Sequence, residues 1–379
     1  MSISTLKRLA PGAQGDPKPQ LQRRRPRSFS RVDAALLVTS IAASVSLVWF
    51  VFYQLTLFSG AAGFVMASIA VFLCMYYFAN RQVFGRMAAA DRVVASLVSL
   101  GSIGVVVALG LVIGFLYTRG HRLVSWSFLT HDQRGVLQTA PASAGGVSHA
   151  IVGTLEQVGI AVLIGAPAGV ATAVFLNEVG GRITSAIRVV ITAMSAIPSI
   201  VAGLFIYVLL ITEFHYGFRG FAGSLALSIL LLPNITRTTE EVLKVVHGSL
   251  REASIALGAP QWRTVWSVVL PTARSGIVTA VLLGIARVVG ETAPLIVTIF
   301  GNTFMQPNPL QAQEALPLFV WQFYRLAEPA DIERAFSAGL VLVGLVLVLF
   351  VLARLIASIR PGVTNRMVAR IKRTPLEVS

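Results

Sequence analysis

Cysteine occurs once among the 379 residues, as Cys74, so the chain can close no disulfide within itself and build no cysteine-based metal site. Charge is also scarce. Asp, Glu, Lys and Arg together make up 12% of residues against 55% hydrophobic. A soluble globular domain carries about a quarter charged residues, so that class is excluded. Missing too is any G-x4-G-K-[ST] loop, which excludes ATP hydrolysis by that phosphate-cradling route. No paired Asp, metal-ligand cluster or Ser-His arrangement stands at catalytic spacing within the apolar runs, so an intramembrane enzyme has no support. The first thirty residues lack the apolar core and small-residue cleavage site of a signal peptide. They are rich in Pro, Arg, Gln and Gly, and are expected to form a disordered basic cytoplasmic tail over 1–30.

What remains is apolar sequence in long runs, with a mean hydropathy of +0.76. A helix of about 20 apolar residues crosses the ~30 Å hydrocarbon layer, and only helices and closed barrels satisfy their backbone there. Eight runs qualify, near 33–58, 61–79, 92–117, 148–174, 190–212, 219–236, 268–299 and 335–357. The expected fold class is an all-α polytopic membrane protein. A net charge of +15 could suggest nucleic acid, but the basic residues gather at the two ends and in short connections. With the N-terminus inside, 23 of the 31 Lys and Arg fall on the inner side. Six fall outside: Arg119, Arg122, Arg134, Arg219, Arg325 and Arg334. This bias predicts both termini in the cytoplasm, membrane lipid as a partner and no nucleic acid. Arg23, Arg24, Arg25, Arg27 and Arg31 would draw the tail to anionic lipid at about 1 kcal/mol per basic residue. Two outer segments, 118–147 and 300–334, are long enough to meet a partner outside or simply to cap the bundle.

The segment from Arg237 to Arg263 is a polar island. Val242, Val245 and Val246, then Leu250, Ala253 and Leu257, recur near helical spacing, which predicts two short amphipathic helices parted at His247-Gly248, with Gly258 ending the second. Glu240 and Glu241 open this segment, where they would favour a helix N-terminus. Such helices can pass movement from a soluble motor to membrane spans, and equally serve as inert connectors. In the next span, GIARVVGETAPL places Arg287 and Glu291 four residues apart, hence on one helix face. An Arg at mid-bilayer costs roughly 2.5 to 3.5 kcal/mol, so the pair must face the bundle interior or a wet cavity. Either the two neutralise each other, or Arg287 offers its planar fork to an oxyanion while Glu291 steadies it. Gly290 and Pro294 weaken the helix beside them. In the fourth span, Glu156 lines a path or is a structural hydrogen-bonded group, and His149 lies near it.

The polar island resembles the EAA loop of ABC importer permeases, E-A-A-x3-G-x9-I-x-L-P. Glu252-Ala253-Ser254, Gly258 and Val268-Val269-Leu270-Pro271 stand at that spacing, with Ser254 and Val268 as conservative departures. Downstream, Ala286, Arg287, Gly290, Glu291, Thr292, Ala293, Pro294 and Leu295 match the A-R-A-x-G-E-T-A-P-L pattern of PstA-type permeases of phosphate-specific importers, Val288 replacing Ala. AIVGTL from Ala150, Leu176-Asn177-Glu178, IPSIVAGLF from Ile197 and LLLPNITRTTEEVL from Leu230 extend the resemblance to roughly 90–357.

The resemblance implies a six-span MetI-like permease core over 90–357 with its coupling loop at 237–271. Ahead of the core stand an extra two-span hairpin at 31–80, for eight spans in all, and after it a basic cytoplasmic tail at 358–379. It implies half of a pathway for inorganic phosphate, with Arg287, Glu291, Arg237 and Thr292 along it; Arg237 reads equally as an inner-side anchor after Pro233. Glu252, Ala253, Ser254 and Gly258 would seat on an ATPase. The implied partners are a second, PstC-like permease, two PstB-like ATPase subunits and a PstS-like external binding protein. ATP-Mg would be bound by the ATPases, and no cofactor by this chain. Another oxyanion as cargo, such as sulfate, molybdate or phosphonate, and an ATPase-independent anion transporter remain the alternatives.

Overall fold

In the computed structural model, residues 30–55, 60–137 and 139–358 are described, and the expected tails lie outside the described residues except for Ser30 and Ser358. Every regular element among the described residues is a helix: α1 (Arg31–Phe50), α2 (Ala61–Phe84), α3 (Arg86–Gly120), α4 (Trp126–Thr130), α5 (Ser148–Val174), α6 (Thr184–Ala196), α7 (Ser199–Ile206), α8 (Gly220–Val245), α9 (Gly248–Ala256), α10 (Gln261–Thr264), α11 (Leu270–Val289), α12 (Ala293–Thr298), α13 (Leu316–Arg325) and α14 (Pro329–Ser358). Short π-helical turns follow α1, α5, α7 and α10. Seven helices are long and apolar enough to cross a membrane, and α6 with α7 and its π-turn makes an eighth candidate bent by 104°.

Two of the eight expected spans are therefore broken. The fifth turns at Ile197-Pro198, where proline disfavours helix for its predecessor and Ile197 takes an extended conformation. The seventh, expected over 268–299 with a weak point at Gly290 and Pro294, stops at Val289, and α12 restarts at Ala293 with Pro294 in its first turn. The sixth departs the other way. Pro233 does not end it, and α8 continues to Val245. The missing proline N–H takes the ladder donor from Ile229 O, while the polar side chains that follow bond back to other carbonyls: the Asn234 amide to Leu230 O at 2.9 Å, and the Thr236 hydroxyl to Leu232 O at 2.8 Å.

The chain forms two compact units, 1–110 and 111–379, divided inside α3 rather than before it. In the first, α1 starts with a capping box in which Ser30 and Asp33 exchange hydrogen bonds. Arg92 of α3 ion-pairs with Asp33, donates to Asn80 Oδ1 at 2.7 Å and lies 3.6 Å over the Phe84 ring. One guanidinium thus gathers the start of α1, the end of α2 and the start of α3, which is why much of α3 groups with the hairpin.

The second unit is organised around α8, the most enclosed of the long helices. Leu227, Leu231 and Ile235 of α8 pack against Val158, Ala161 and Ala166 of α5, Val288 and Val289 of α11, Leu295 of α12 and Leu318 of α13. At the end of α5 near Ser148, the chain before α13 comes very close: a Cβ on Gly153 would stand 2.0 Å from Glu314 O. Arg334 and Asp331, each 1% exposed, pair at 2.7 Å in the first turns of α14, and Arg334 also donates to Pro141 O at 2.8 Å, tying down the 131–147 segment. Gly153→Ala should cost about 1–3 kcal/mol of overpacking and lower the unfolding temperature in detergent by several degrees. Gly159→Ala on the same helix, with open space around it, should leave that temperature unchanged or slightly higher.

Candidate functional site

Two regions carry the sequence-selected residues, one at the junction of α8 and α11 and the other at α9. Arg287 lies in the last turn of α11, where a cation is favoured by the helix dipole. Its side chain is exposed in this chain, and Nη1 donates to Asn234 Oδ1 of α8 at 3.3 Å. Asn234 is oriented for this by its own amide bond to Leu230 O. Glu291 does not share a helix face with Arg287, contrary to the four-residue spacing, because α11 ends before it. No ion pair joins the two among the described residues. Glu291 N caps Val288 O at 3.2 Å, and Glu291 and Thr292 form the half-buried elbow between α11 and α12, Thr292 O accepting from the amides of Leu295 and Ile296 at 3.1 Å.

Arg237 stands one turn beyond Asn234 on α8 and is exposed. The structure therefore brings Arg287 and Arg237 to one strip of α8 and α11, with Asn234 between them, and leaves Glu291 and Thr292 at the elbow. Arg287 makes its polar contact with a neutral amide, so its charge is uncompensated by any partner among the described residues. Asn234 was missed. Its one sequence signal is a polar side chain directly after Pro233 inside an apolar run.

Glu240 is not at a helix start, because α8 continues through it. It is buried and takes Arg188 of α6 at 2.6 Å and Lys244 one turn on at 3.2 Å, so it locks α6 to α8. Glu156 accepts from Gln313, and Gln157 reaches Glu314 O at 3.3 Å, which gives Glu156 a structural hydrogen bond. His149 is buried edge-on against Phe319.

Of the two helices expected in the polar island, the first is the end of α8 and the second is α9. Gly258 stops α9 in the left-handed region, φ +81°, with its amide on Ile255 O at 2.8 Å. Space around it is open, so the requirement for glycine is conformational. Glu252 and Ala253 are exposed, and the Ser254 hydroxyl meets that of Thr264 at 2.8 Å. Around them Leu257 (89%), Trp266 (70%) and Trp262 (67%) present apolar surface that this chain does not cover.

At the opposite end of α5, the segments 131–147 and 300–315 are laced together: Gln133 N donates to Thr303 O at 2.9 Å and Met305 N to Asp132 Oδ2 at 2.9 Å. Burial pushes Asp132 up, but the amides of Met305 and Arg134 outweigh it and hold the carboxyl below its ordinary value. Glu314 lies the other way: burial pushes it up to about 8, against the opposing hydrogen bonds from Ala315 and Asn302. Between its ordinary 4.5 and 8, folded Glu314 keeps a proton that the unfolded chain has released, so stability falls as pH rises through that window and levels off above it. Glu314→Gln should remove this dependence. Thermal unfolding of the purified chain should show the variant several degrees more stable than wild type at pH 8 and nearly equal to it at pH 5.

Residues 165–359 match the family model described as "Binding-protein-dependent transport system inner membrane component". The phosphate transport system permease protein PstA 1 of Mycobacterium tuberculosis (strain CDC 1551 / Oshkosh) is 42% identical over 216 residues, covering 56% of this chain and 70% of that protein. The protein PstA of Xylella fastidiosa (strain Temecula1 / ATCC 700964) is 38% identical over 216 residues, covering 56% and 75%. Among solved structures, a chain of the inward-facing MetNI methionine ABC transporter overlays with a TM-score of 0.43 at 20% identity, covering 56% of this chain and 93% of that one.

Proposed function

Since the chain belongs to the binding-protein-dependent inner membrane transport components, and within them to the PstA-type permeases, we propose that it is the permease subunit that forms half of an ATP-driven inward pathway for inorganic phosphate. The observation that carries this reading is the state of Arg287. It is an arginine within a candidate span, exposed on its own chain and held by a neutral asparagine rather than by a carboxylate. An uncompensated guanidinium is costly in hydrocarbon, and is expected where a second subunit closes a wet path around it. Its fork suits two oxygens of a phosphate, and Arg237 one turn along α8 adds a second positive charge to the same strip. Held by one long hydrogen bond, Arg287 can exchange Asn234 for a passing anion and return, which favours transit over retention. Glu291 and Thr292 at the elbow hold the break that lets α12 turn away, and their exposed edges complete the path.

The surface around α9 gives the second half of the reading. Glu252, Ala253, Ser254 and Gly258, with Leu257 and the two tryptophans, form a helix and turn of a size to seat on an ATPase subunit. The positive-inside bias favours this end and both termini on the cytoplasmic side, and the relatives named above support a prokaryotic inner membrane as the site. The complete machine would add a PstC-like permease, two PstB-like ATPases holding ATP-Mg, and a PstS-like external phosphate-binding protein docking on the 118–147 and 300–334 segments. This chain contributes path and coupling, and no nucleotide chemistry of its own.

Uptake of labelled phosphate into proteoliposomes holding the whole complex tests this. Uptake should require ATP, resist excess sulfate, and fall by about 10²-fold or more in Arg287→Gln with the complex still assembled, as for loss of a charged, bidentate contact worth about 3 kcal/mol. Sulfate-sensitive uptake would reassign the cargo to another oxyanion. ATP-independent uptake would replace the ABC assignment, and undiminished uptake in Arg287→Gln would remove Arg287 from the path.

A further inference from the structure

α9 has few attachments to the rest of the chain, and most of them run through one residue. Arg251 uses its whole fork. Nη2 and Nε take the two oxygens of Glu178 at 2.7 and 3.1 Å, while Nη1 donates to Val246 O at 2.7 Å and Nη2 also to Leu243 O at 3.0 Å. Leu243 and Val246 are at the end of α8, so the same guanidinium caps that helix, sharing Leu243 O with the Val246 amide. Glu178 lies in the π-helical turn Phe175–Val179 that ends α5. The carboxylate side chain is only 7% exposed, Asn177 donates to Oε1 at 2.7 Å, and Gln261, just past α9, donates to the Glu178 backbone carbonyl. On its other side α9 packs on α10 and on the π-helical turn before α11, where the Ser254 and Thr264 hydroxyls meet.

Solvent-exposed ion pairs are worth little and are not kept for stability alone, but this one is bidentate, largely enclosed and shared by three elements. Breaking it would leave Glu178 charged and enclosed with no cation. Beside it opens a crevice of about 640 Å³ lined by Glu178 and Arg251 themselves together with Lys244, Ile255 and Thr264, so α9 is not packed solidly there and the fork is what ties it across the gap. Because the fork bonds α9 to the end of α5 and to the end of α8 at once, a push on α9 loads both helix ends together.

We propose that the Glu178–Arg251 fork is the positioning link that carries movement of α9 into α5 and α8, and so determines how much transport each ATP yields. This rests on the reading of α9 as the ATPase-facing helix. Neither residue belongs to the strip around Arg287 or to the exposed docking face, so both act through the helices they join.

The test uses the complete complex in proteoliposomes, measuring phosphate uptake and ATP hydrolysis side by side in wild type, Glu178→Gln, Arg251→Lys and the double variant. Assembly and unfolding temperature are checked for each. The expected result is a fall of about tenfold in phosphate moved per ATP hydrolysed in each single variant, with hydrolysis retained, and no further fall in the double variant, because the two act as one unit. Arg251→Lys keeps the charge but not the fork, so a lysine that restores the ratio would overturn the geometric argument. Uptake and hydrolysis falling in equal proportion, or losses that add in the double variant, would overturn the link itself. Should a variant fail to assemble, the milder Glu178→Asp, which keeps the charge and shortens the reach, is measured instead and should show the same split. If the wild-type complex shows no ATP-dependent uptake, it is the reading of α9 that has failed, and not the link.

Discussion

In a hydrocarbon layer a backbone group that leaves its helix has no water to receive it, and every break in a spanning helix must be satisfied by the protein itself. This constraint orders the chain from 111 to 358. α8 runs unbroken through Pro233, which removes one donor from its ladder, and Asn234 and Thr236 keep their own side-chain donors on α8 carbonyls at Leu230 and Leu232. The two spans that do break, at Ile197-Pro198 and at Gly290, do so where a proline begins the next short helix. The segment before α13 lies against α5 only because Gly153 has no side chain to obstruct Glu314 O, and because Gln157 and Thr154 supply the polar contacts that bare chain requires.

Charge obeys the same rule more strictly. Asp33 with Arg92, Glu240 with Arg188, Glu178 with Arg251 and Asp331 with Arg334 each join different elements or pin a helix start, and each leaves its carboxylate enclosed. Arg287 stands apart from them in having only an amide to lean on. Of the chain's 16 acidic residues, four serve as these internal ties.

The broad plan was legible in the sequence because hydropathy and the bilayer's thickness leave few solutions. Spans appear as runs, and a polar island such as 237–263 appears as an interruption. Gly258 could be read as a stop because the left-handed turn is local. What failed was whatever depended on where one helix ends. Periodicity placed Arg287 and Glu291 on one face, but only if α11 continued past Val289. Pro233 looked like an end, but α8 carries on through it to Val245. The pairing of Arg251 with Glu178 and of Arg188 with Glu240 joins residues 73 and 52 positions apart, and no spacing rule reaches that far. Arg251 stood beside the recognisable Glu252 and drew no notice.

The exposed end of α9 bears on the fate of single copies. Leu257 and two tryptophans lie uncovered next to a helix that has little else to hold it. Trp262 and Trp266 fall within the candidate span Gln261–Val289 and suit a membrane interface, but Leu257 lies outside it, and a subunit made in excess of its partners keeps Leu257 in water, where chaperones and proteases sort proteins by such surfaces. The contact that would transmit work in the finished machine thereby marks an orphan for removal, and the cell's stock of this chain would follow the supply of whatever covers α9.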